Sequence, residues 1–273
     1  MFFRIFVVAK HLGMNEGYPT NLTDCQWQML QKIIEPTMVR KRKYPLRNIV
    51  NGILYIIKSG CQWRMLPNDH PPYNIVFYYF TKWKREGLIE ELMDALRDTV
   101  RPKRGKKRSP SLGIIDSRSV STTQHVSQER GIDGHKKVKG RKVELVTDTL
   151  GLPMGITVHA ANFNDKKGAV GTLENLRFKY PRLKKIIADG GYASEELRRQ
   201  AKQQLGCEFE VVLRPDECPK RFTVIPKRWI VERSFGWLCA SRRLAKDYEF
   251  YSDTAVAMNQ FAFIRIMLNK IFK

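Results

Sequence analysis

Two short apolar runs, Leu112-Gly-Ile-Ile-Asp116 and Lys185-Ile-Ile-Ala-Asp189, each end in an aspartate, and they decide the fold class. Each run has the length and the apolar content of a buried strand. Gly190 and Gly191 follow the second run and end it. Sites in open α/β sheets gather at the carboxyl ends of strands. We therefore expect Asp116 and Asp189 to lie at such ends.

The sequence around these runs predicts an α/β domain over 112–273. Strands are predicted over 112–120, 143–147, 154–159, 185–188 and 207–213, and helices over 166–177, 194–205, 227–244 and 254–271. Three strands followed by alternating units give a mixed five-stranded sheet with helices on its faces.

The N-terminal part has helical periodicity instead, and we predict a small all-α domain over 20–98. Thr23 and Gln26 have the spacing of a capping box, and Gly60 ends an apolar-faced helix over 46–57. Residues 99–111 are predicted to be a basic linker. Residues 1–19 form an N-terminal arm or extension. Within it, 1–13 either precede a natural start at Met14 or pack as a short arm of a chain that starts at Met1.

The amino-acid composition narrows the range of functions that the chain could have. The chain has 273 residues, with 49 Lys and Arg against 27 Asp and Glu, a net charge of +22. A chain this basic usually binds a polyanion, and nucleic acid is favoured over an anionic membrane surface. No apolar run approaches the ~20 residues of a membrane helix. The five widely spaced cysteines favour reduced thiols over a disulfide framework or a zinc ribbon.

A third carboxylate, Glu232, lies in the segment Trp229-Ile-Val-Glu-Arg-Ser-Phe-Gly-Trp-Leu238. The apolar neighbours predict a largely buried helix, in which a glutamate needs a partner. Arg228 lies four residues earlier, on the same helix face. Each acid alone is commonly a cap, a turn residue or a salt-bridge partner. Three of them together in a chain of this charge indicate a site.

These residues resemble the DDE transposases of bacterial insertion sequences, in the insertion-sequence-five family, whose catalytic domain is ribonuclease H-like. The resemblance extends from about residue 18 to 270. The matching stretches include Ile114-Ile-Asp-Ser-Arg-Ser-Val120, Asp148-Thr-Leu-Gly-Leu-Pro153, Ala160-Ala-Asn-Phe-Asn-Asp165, Ala188-Asp-Gly-Gly-Tyr192 and Arg228-Trp-Ile-Val-Glu-Arg-Ser-Phe-Gly-Trp-Leu238.

The resemblance implies that Asp116, Asp189 and Glu232 are the catalytic acids and the ligands of two Mg²⁺ ions, for which Mn²⁺ substitutes. Two such ions would relieve the mutual repulsion of three carboxylates. The implied reaction is hydrolysis at the transposon end, then attack of the freed 3′-OH on target DNA. Arg228 is implied to orient Glu232 or to touch the scissile phosphate, with a plain ion pair as the alternative. The chain has no Walker-type phosphate loop, so no nucleotide cofactor is expected.

The implied partners are double-stranded DNA, as terminal inverted repeats and as target, and a second copy of the chain, because two ends need two active sites. The expected location is the cytoplasm, at the nucleoid, without a membrane. Basic residues in a candidate recognition helix over 73–85 and in three further segments are predicted to contact DNA. They are Lys82, Lys84, Arg85, Arg101, Lys103, Arg104, Lys106, Lys107, Arg108, Lys136, Lys137, Lys139, Arg141, Lys142, Arg242 and Arg243.

Other residues and functions stay open as alternatives. Asp148 is predicted to cap a turn and Asp165 to cap the following helix, whereas His135 and His159 have no partner at metal-ligand spacing. Glu144 stands where the family often has a histidine. The protein could also be a structure-selective nuclease with the same acids, or a non-catalytic DNA-binding relic.

Overall fold

The computed structural model describes residues 17–37, 42–123, 128–212 and 227–272. Its N-terminal part is helical, as predicted. Thr23 and Gln26 form the predicted capping box, and Gly60 ends the second helix in the left-handed region, at φ 76°. The helices are α1 (Asp24–Ile34), α2 (Leu46–Ser59), α3 (Tyr73–Arg85) and α4 (Leu88–Lys103).

The second part is built on a mixed sheet. Its strands are β1 (Leu112–Ser121), β2 (Gly131–Asp133), β3 (Val138–Thr147), β4 (Pro153–Ala160), β5 (Lys185–Ala188) and β6 (Glu208–Val211). The order is β2-β3-β1-β5-β6, with β4 also paired to β3. β3 is antiparallel to β1 and β4, whereas β5 is parallel to β1 and β6.

The fold class is confirmed, and two details differ from the prediction. The described sheet has six strands rather than five, because a short strand, β2, pairs with the start of β3. β3 itself begins at Val138 rather than at 143. The segment that forms this extension is rich in lysine and glycine, so it has no apolar alternation that would predict a strand.

Helices cover both faces of the sheet. They are α5 (Asp165–Glu174), α6 (Glu195–Leu205), α7 (Trp229–Cys239) and α8 (Ser252–Phe272). Because side chains alternate along a strand, Ile114 and Ile115 belong to different cores. Ile114 packs with α7, α8 and the N-terminal helices, and Ile115 packs with α5 and α6. The face that carries Ile114 is called the α7 face below, and the other is called the α5 face.

The boundary between the two parts differs from the prediction of a linker over 99–111. α4 continues to Lys103, and Val100 and Arg101 are buried in it. One continuous core joins the N-terminal helices to α7 and α8. Gln26 of α1 donates a hydrogen bond to Asn269 of α8, 243 residues later. The N-terminal helices and the sheet therefore share a core.

Two predictions touch residues outside the described ranges. The choice between Met1 and Met14 lies there, as does the end of the strand predicted over 207–213. The described cysteines, Cys25, Cys61, Cys207 and Cys239, are free thiols. No helix in the described part of the chain is long and apolar enough to cross a bilayer.

Candidate active site

Strand pairing brings Asp116 and Asp189 to the same level of the sheet. β1 and β5 run parallel, with Ile114 opposite Ile187. Two more residues along this register place Asp116 beside Asp189, which follows directly after β5. Asp189 also caps the short 3₁₀ turn Gly190–Tyr192, since its Oδ1 accepts a hydrogen bond from Gly191 N at 3.0 Å. This bond leaves the Oδ2 of Asp189 for another partner.

Because side chains alternate between the two faces along β1, the position of Asp116 in the strand determines which helix its side chain faces. Asp116 has the parity of Ile114 and therefore lies on the α7 face. Glu232 is in the first turn of α7, where the helix dipole favours a carboxylate. Arg228 is the N-cap residue of α7, one turn before Glu232. The sheet and this one helix thus supply all three predicted acids.

The Arg228 guanidinium lies among the three carboxylates. Its Nη2 atom is 3.2 Å from Asp189 Oδ2, 3.5 Å from Glu232 Oε1 and 3.9 Å from Asp116 Oδ2. The expected pairing of Arg228 with Glu232 across one helical turn is confirmed. The same atom also contacts the other two acids, which the sequence did not indicate. One cationic nitrogen therefore sits where three negative charges converge.

The pKa of Asp116 is strongly shifted. It is raised to about 7, chiefly by burial and to a smaller extent by the neighbouring Asp189. The hydrogen bond from its own neighbour's backbone, Ser117 N to Oδ1 at 2.8 Å, and the charges of Arg228 and Lys136 oppose that rise. A carboxyl that resists ionisation beside other acids is typical of a site that takes up a cation.

The donor chemistry of the site fits a hard divalent cation. Three carboxylates offer only oxygen ligands, which Mg²⁺ and Mn²⁺ prefer. In the part of the chain that the structure describes, no three His, Cys, Asp or Glu side chains are close enough to share one ion, and the three acids lie around the Arg228 guanidinium instead. Asp116, Asp189 and Glu232 are the residues that would hold the cation.

A polar cluster on the α5 face supports the same strands from behind. Ser117 Oγ and Lys142 Nζ both donate to Asp165 Oδ1, at 2.8 and 3.0 Å. This contact corrects two predictions. Asp165 does not cap α5, because Asn164 does so through Lys167 N. Lys142 is buried in this cluster rather than on a DNA-facing surface.

Glu144, His159 and Tyr192 form a buried group that the sequence did not reveal. Tyr192 OH donates to Glu144 Oε2 at 2.7 Å, and His159 Nε2 lies 3.5 Å from Glu144 Oε1. Glu144 and Tyr192 are fully buried. Burial raises the pKa of Glu144. Because Tyr192 ends the turn that begins at Asp189, this group is linked to the acids by a three-residue turn.

Three of the remaining arginines predicted to bind DNA are also buried, which contradicts their assignment to a basic surface. Arg101 pairs with the buried Asp148, which caps its turn as predicted, through Leu150 N. Arg141 and Arg243 pair with Asp247 and Glu249. The spacing of charges in the sequence could not separate these from exposed residues, because each is surrounded by other basic residues.

The other residues predicted to contact DNA differ in their exposure and in whether they pair with an acidic side chain. In α3, Lys84 pairs with Asp253 at 2.7 Å and Lys82 lies 3.9 Å from Glu86, whereas Arg85 is exposed. The remaining residues are exposed, and they are Lys103, Arg104, Lys106, Lys107, Arg108, Lys136, Lys137, Lys139 and Arg242.

The mixed sheet with helices on both faces is that of a ribonuclease H-like domain, and its three convergent acids lie in β1, directly after β5 and at the start of α7. The chain belongs to the transposase family: the family model described as "Transposase DDE domain" matches residues 107–267, more than half of the chain. A second model, described as "Putative transposase of IS4/5 family", matches residues 22–93, the N-terminal helices. The predicted membership of an insertion-sequence family is confirmed.

Two curated proteins are similar to parts of the chain. The "Putative transposase for insertion sequence element IS402" of Burkholderia cepacia is 32% identical over 123 residues, which are 42% of this chain and 56% of that protein. The "Uncharacterized protein y4sN" of Sinorhizobium fredii (strain NBRC 101917 / NGR234) is 24% identical over 116 residues, 41% of this chain and 86% of that protein. The chain thus matches only a little over half the length of the first relative.

Proposed function

We propose that the protein is a DNA transposase that cuts at the terminal inverted repeats of its own insertion sequence and joins the freed 3′-OH to target DNA. The observation that carries this proposal is the convergence of Asp116, Asp189 and Glu232 on one nitrogen of Arg228, in a chain of the transposase family. Both steps are displacements at phosphorus, which depend on positioning and charge rather than on a protein nucleophile.

Each acid has a role that follows from its place. Asp116 lies in β1 and Asp189 directly follows the neighbouring strand β5, with side chains 15% and 26% exposed. Glu232 comes from a helix and is 55% exposed. Two Mg²⁺ ions, when bound, would activate the attacking oxygen and stabilise the leaving oxygen. The two aspartates and Glu232 would be the residues that hold these ions.

Arg228 serves the site as a resident cation. It offsets part of the negative charge of the acids, and 18% of its side-chain surface is exposed. A phosphate oxygen is a natural acceptor for the exposed edge of a guanidinium group. We therefore assign Arg228 to orienting Glu232 and to contacting the scissile phosphate.

The DNA lies across the exposed basic residues around the site. Lys136 is in the turn before β3, and its Nζ is 3.4 Å from Ser117 O, next to Asp116. Asp133 holds that turn by accepting hydrogen bonds from His135 N and Lys136 N. Such contacts add affinity without reading sequence. The N-terminal helices, with Arg85 exposed at the end of α3, are left to recognise the inverted repeat.

Two copies of the chain act on paired ends, since each end needs its own set of acids. The DNA substrate would place the working protein at the nucleoid. The alternatives are a structure-selective nuclease, which cuts but does not join, and a DNA-binding relic, which does neither.

The test separates these functions. Purified protein is incubated with Mg²⁺, a labelled duplex that carries one boundary of its element, and a supercoiled plasmid as target. We expect nicking at the boundary and transfer of the labelled strand to the plasmid, both lost in Glu232→Ala while DNA binding persists. Nicking without transfer would favour the nuclease, and binding without nicking in Mg²⁺ or Mn²⁺ would favour the relic.

A further inference from the structure

A basic groove of about 370 Å³ lies away from the three acids. It is formed by the end of α2, the end of α7 and the C-terminal half of α8. Of the described residues that line it, four are cationic and none is acidic. The lining residues that matter here are Lys58, Arg104, Trp237, Arg265 and Lys270. Only Arg104 among them was predicted from the sequence to contact DNA.

Backbone carbonyls hold cationic side chains of this groove in place, but no described acidic side chain neutralises their charge. Lys58 Nζ donates to Ala240 O at 2.6 Å, Arg104 Nη2 to Lys270 O at 3.3 Å, and Arg265 to the carbonyls of Pro19 and Thr20, both at 2.5 Å. Backbone carbonyls orient a cation without cancelling its charge. Within the described ranges, no carboxylate lies within ion-pair distance of these four side chains.

Mutual repulsion is visible at Lys270. Burial lowers the pKa of its ammonium, and the charges of Arg233 and Arg104 lower it further, against a smaller opposing effect of Asp148. Asp148 is already engaged by Arg101. A bound anion would relieve the repulsion, and a groove of this size and charge suits phosphate groups better than a carboxylate side chain.

A row of stacked side chains connects the groove to the active-site helix. Arg233 lies over the rings of both Trp229 and Trp237, at 4.6 and 4.8 Å, and Lys270 Nζ lies 4.0 Å from the Trp237 ring. Spacing by four residues puts the three α7 residues on one helix face. At about 1.5 Å of rise per residue, Trp237 is ~8 Å further along α7 than Glu232. One DNA segment can reach both places.

We propose that this groove is a second DNA-binding site, which holds backbone phosphates of the DNA while the acids hold the scissile phosphate. The inference rests on the proposed function only for the identity of its ligand, DNA. The phosphates can come from the element's own end or from the target, and the chemistry of the groove is the same for both. Its side chains offer positive charge but no arrangement suited to hydrogen bonds with base edges. The site therefore adds affinity without sequence preference.

The test measures DNA binding in EDTA, so that it does not depend on cleavage. Fluorescence anisotropy gives the dissociation constant from 50 to 200 mM NaCl for a duplex with the element boundary and for an unrelated duplex. The variant is Lys58→Gln with Lys270→Gln. The matched control is Lys202→Gln, an exposed lysine in α6 on the far face of the sheet.

Each lost phosphate contact lowers the slope of log K against log salt by about 0.9. We therefore expect the double variant to lose about 1.8 from this slope and to bind several-fold more weakly at 100 mM salt, with the control unchanged. A loss confined to the boundary duplex would assign the groove to the element's end, and a loss on both would assign it to backbone of either source. A slope equal to that of the wild type on both duplexes, in a variant with the wild-type melting temperature, would overturn the proposal.

Discussion

Glu144 Oε1 and His159 Nε2 face each other at 3.5 Å inside the protein, and neither atom has another hydrogen-bond partner among the residues that the structure describes. His159 Nδ1 lies 3.0 Å from Ala160 O, a carbonyl that can only accept, so Nδ1 carries a hydrogen. Nε2 of a neutral ring then presents a lone pair to Glu144. Burial raises the pKa of Glu144, and a protonated Glu144 carboxyl would present a donor to that lone pair. The other oxygen of Glu144 accepts from Tyr192, and Asp165 is the next charge nearby.

Replacing Glu144 tests this arrangement. In Glu144→Gln the amide can donate to His159 Nε2 and accept from Tyr192 OH, so we expect stability close to that of the wild type. In Glu144→Leu the Tyr192 hydroxyl and the imidazole lose their partner, which costs about 1–3 kcal/mol for each buried polar group left unpaired. Urea unfolding measures both. Equal losses in the two variants would show that size, not hydrogen bonding, matters at this position.

Gly168 in α5 has no side chain, and this allows the Glu144–His159 pair to pack directly against the helix. A Cβ atom there would lie 2.3 Å from His159 Nε2 and 2.7 Å from Glu144 Oε1, whereas a Cβ at Gly171 meets nothing within 4 Å. We expect Gly168→Ala to destabilise the protein and Gly171→Ala, in the same helix, to stabilise it by about 0.5–1 kcal/mol. Thermal unfolding compares them. A gain in both variants would contradict the close approach of α5 to the pair.

The sequence singled out Asp116, Asp189 and Glu232, whose catalytic role stays a prediction, because their local signals are strong: an apolar run before each aspartate and a helix around Glu232. It could not predict the Glu144–His159 pair, since the two residues belong to different strands and meet only through strand register and α5. The same limit explains why Arg101, Arg141, Lys142 and Arg243 were predicted to contact DNA although they are buried. Net charge along the chain does not reveal which cations point inward, because each inward cation is selected by a distant acid or carbonyl.

Helix and strand positions were predicted well where periodicity is regular, as at β5, whose bounds match. The end of α4 was missed because its last turn is basic and contains Pro102, both of which are typical of a linker. Burial of Arg101 against Asp148 keeps that turn helical. The prediction failed where a long-range contact outweighed local composition.

The buried pair of Arg101 and Asp148 gives a further prediction. Arg101→Met leaves the fully buried Asp148 without its cation, and loss of one partner of such a pair costs about 3–5 kcal/mol. Lys106 is exposed in the same basic segment, so Lys106→Met changes stability by less than about 0.5 kcal/mol. Chemical unfolding checks both values. A small effect of Arg101→Met would return Arg101 to the set of DNA contacts.

The titration of Asp116 predicts how stability depends on pH. The pKa of Asp116 is about 7 in the folded protein, against an ordinary value of 3.8, and burial is the main cause of the difference. Between these values the unfolded chain is ionised at this position while the folded protein keeps the proton. Ionisation thus opposes folding, and the stability that depends on Asp116 falls as pH rises from about 4 to 7 and is constant above that range.

Asp116→Asn removes this penalty. Melting temperatures in EDTA should therefore be higher for the variant than for the wild type at pH 8, and the difference should shrink toward pH 4. The variant should at the same time be inactive as a nuclease. A variant that melts below the wild type at pH 8 would refute the assignment of a raised pKa to the Asp116 carboxyl.

We propose that Asp116, Asp189 and Glu232 form one metal-dependent site for phosphodiester cleavage. The most direct test of this claim is the initial rate of nicking of a boundary duplex as Mg²⁺ is raised, for the wild type, Asp189→Asn and Glu195→Gln. Glu195 is an 85% exposed carboxylate at the start of α6 and serves as the control. We predict Mg²⁺-dependent nicking by the wild type and by Glu195→Gln, and none by Asp189→Asn with its fold and DNA binding intact. Nicking by Asp189→Asn at the wild-type rate would contradict the claim.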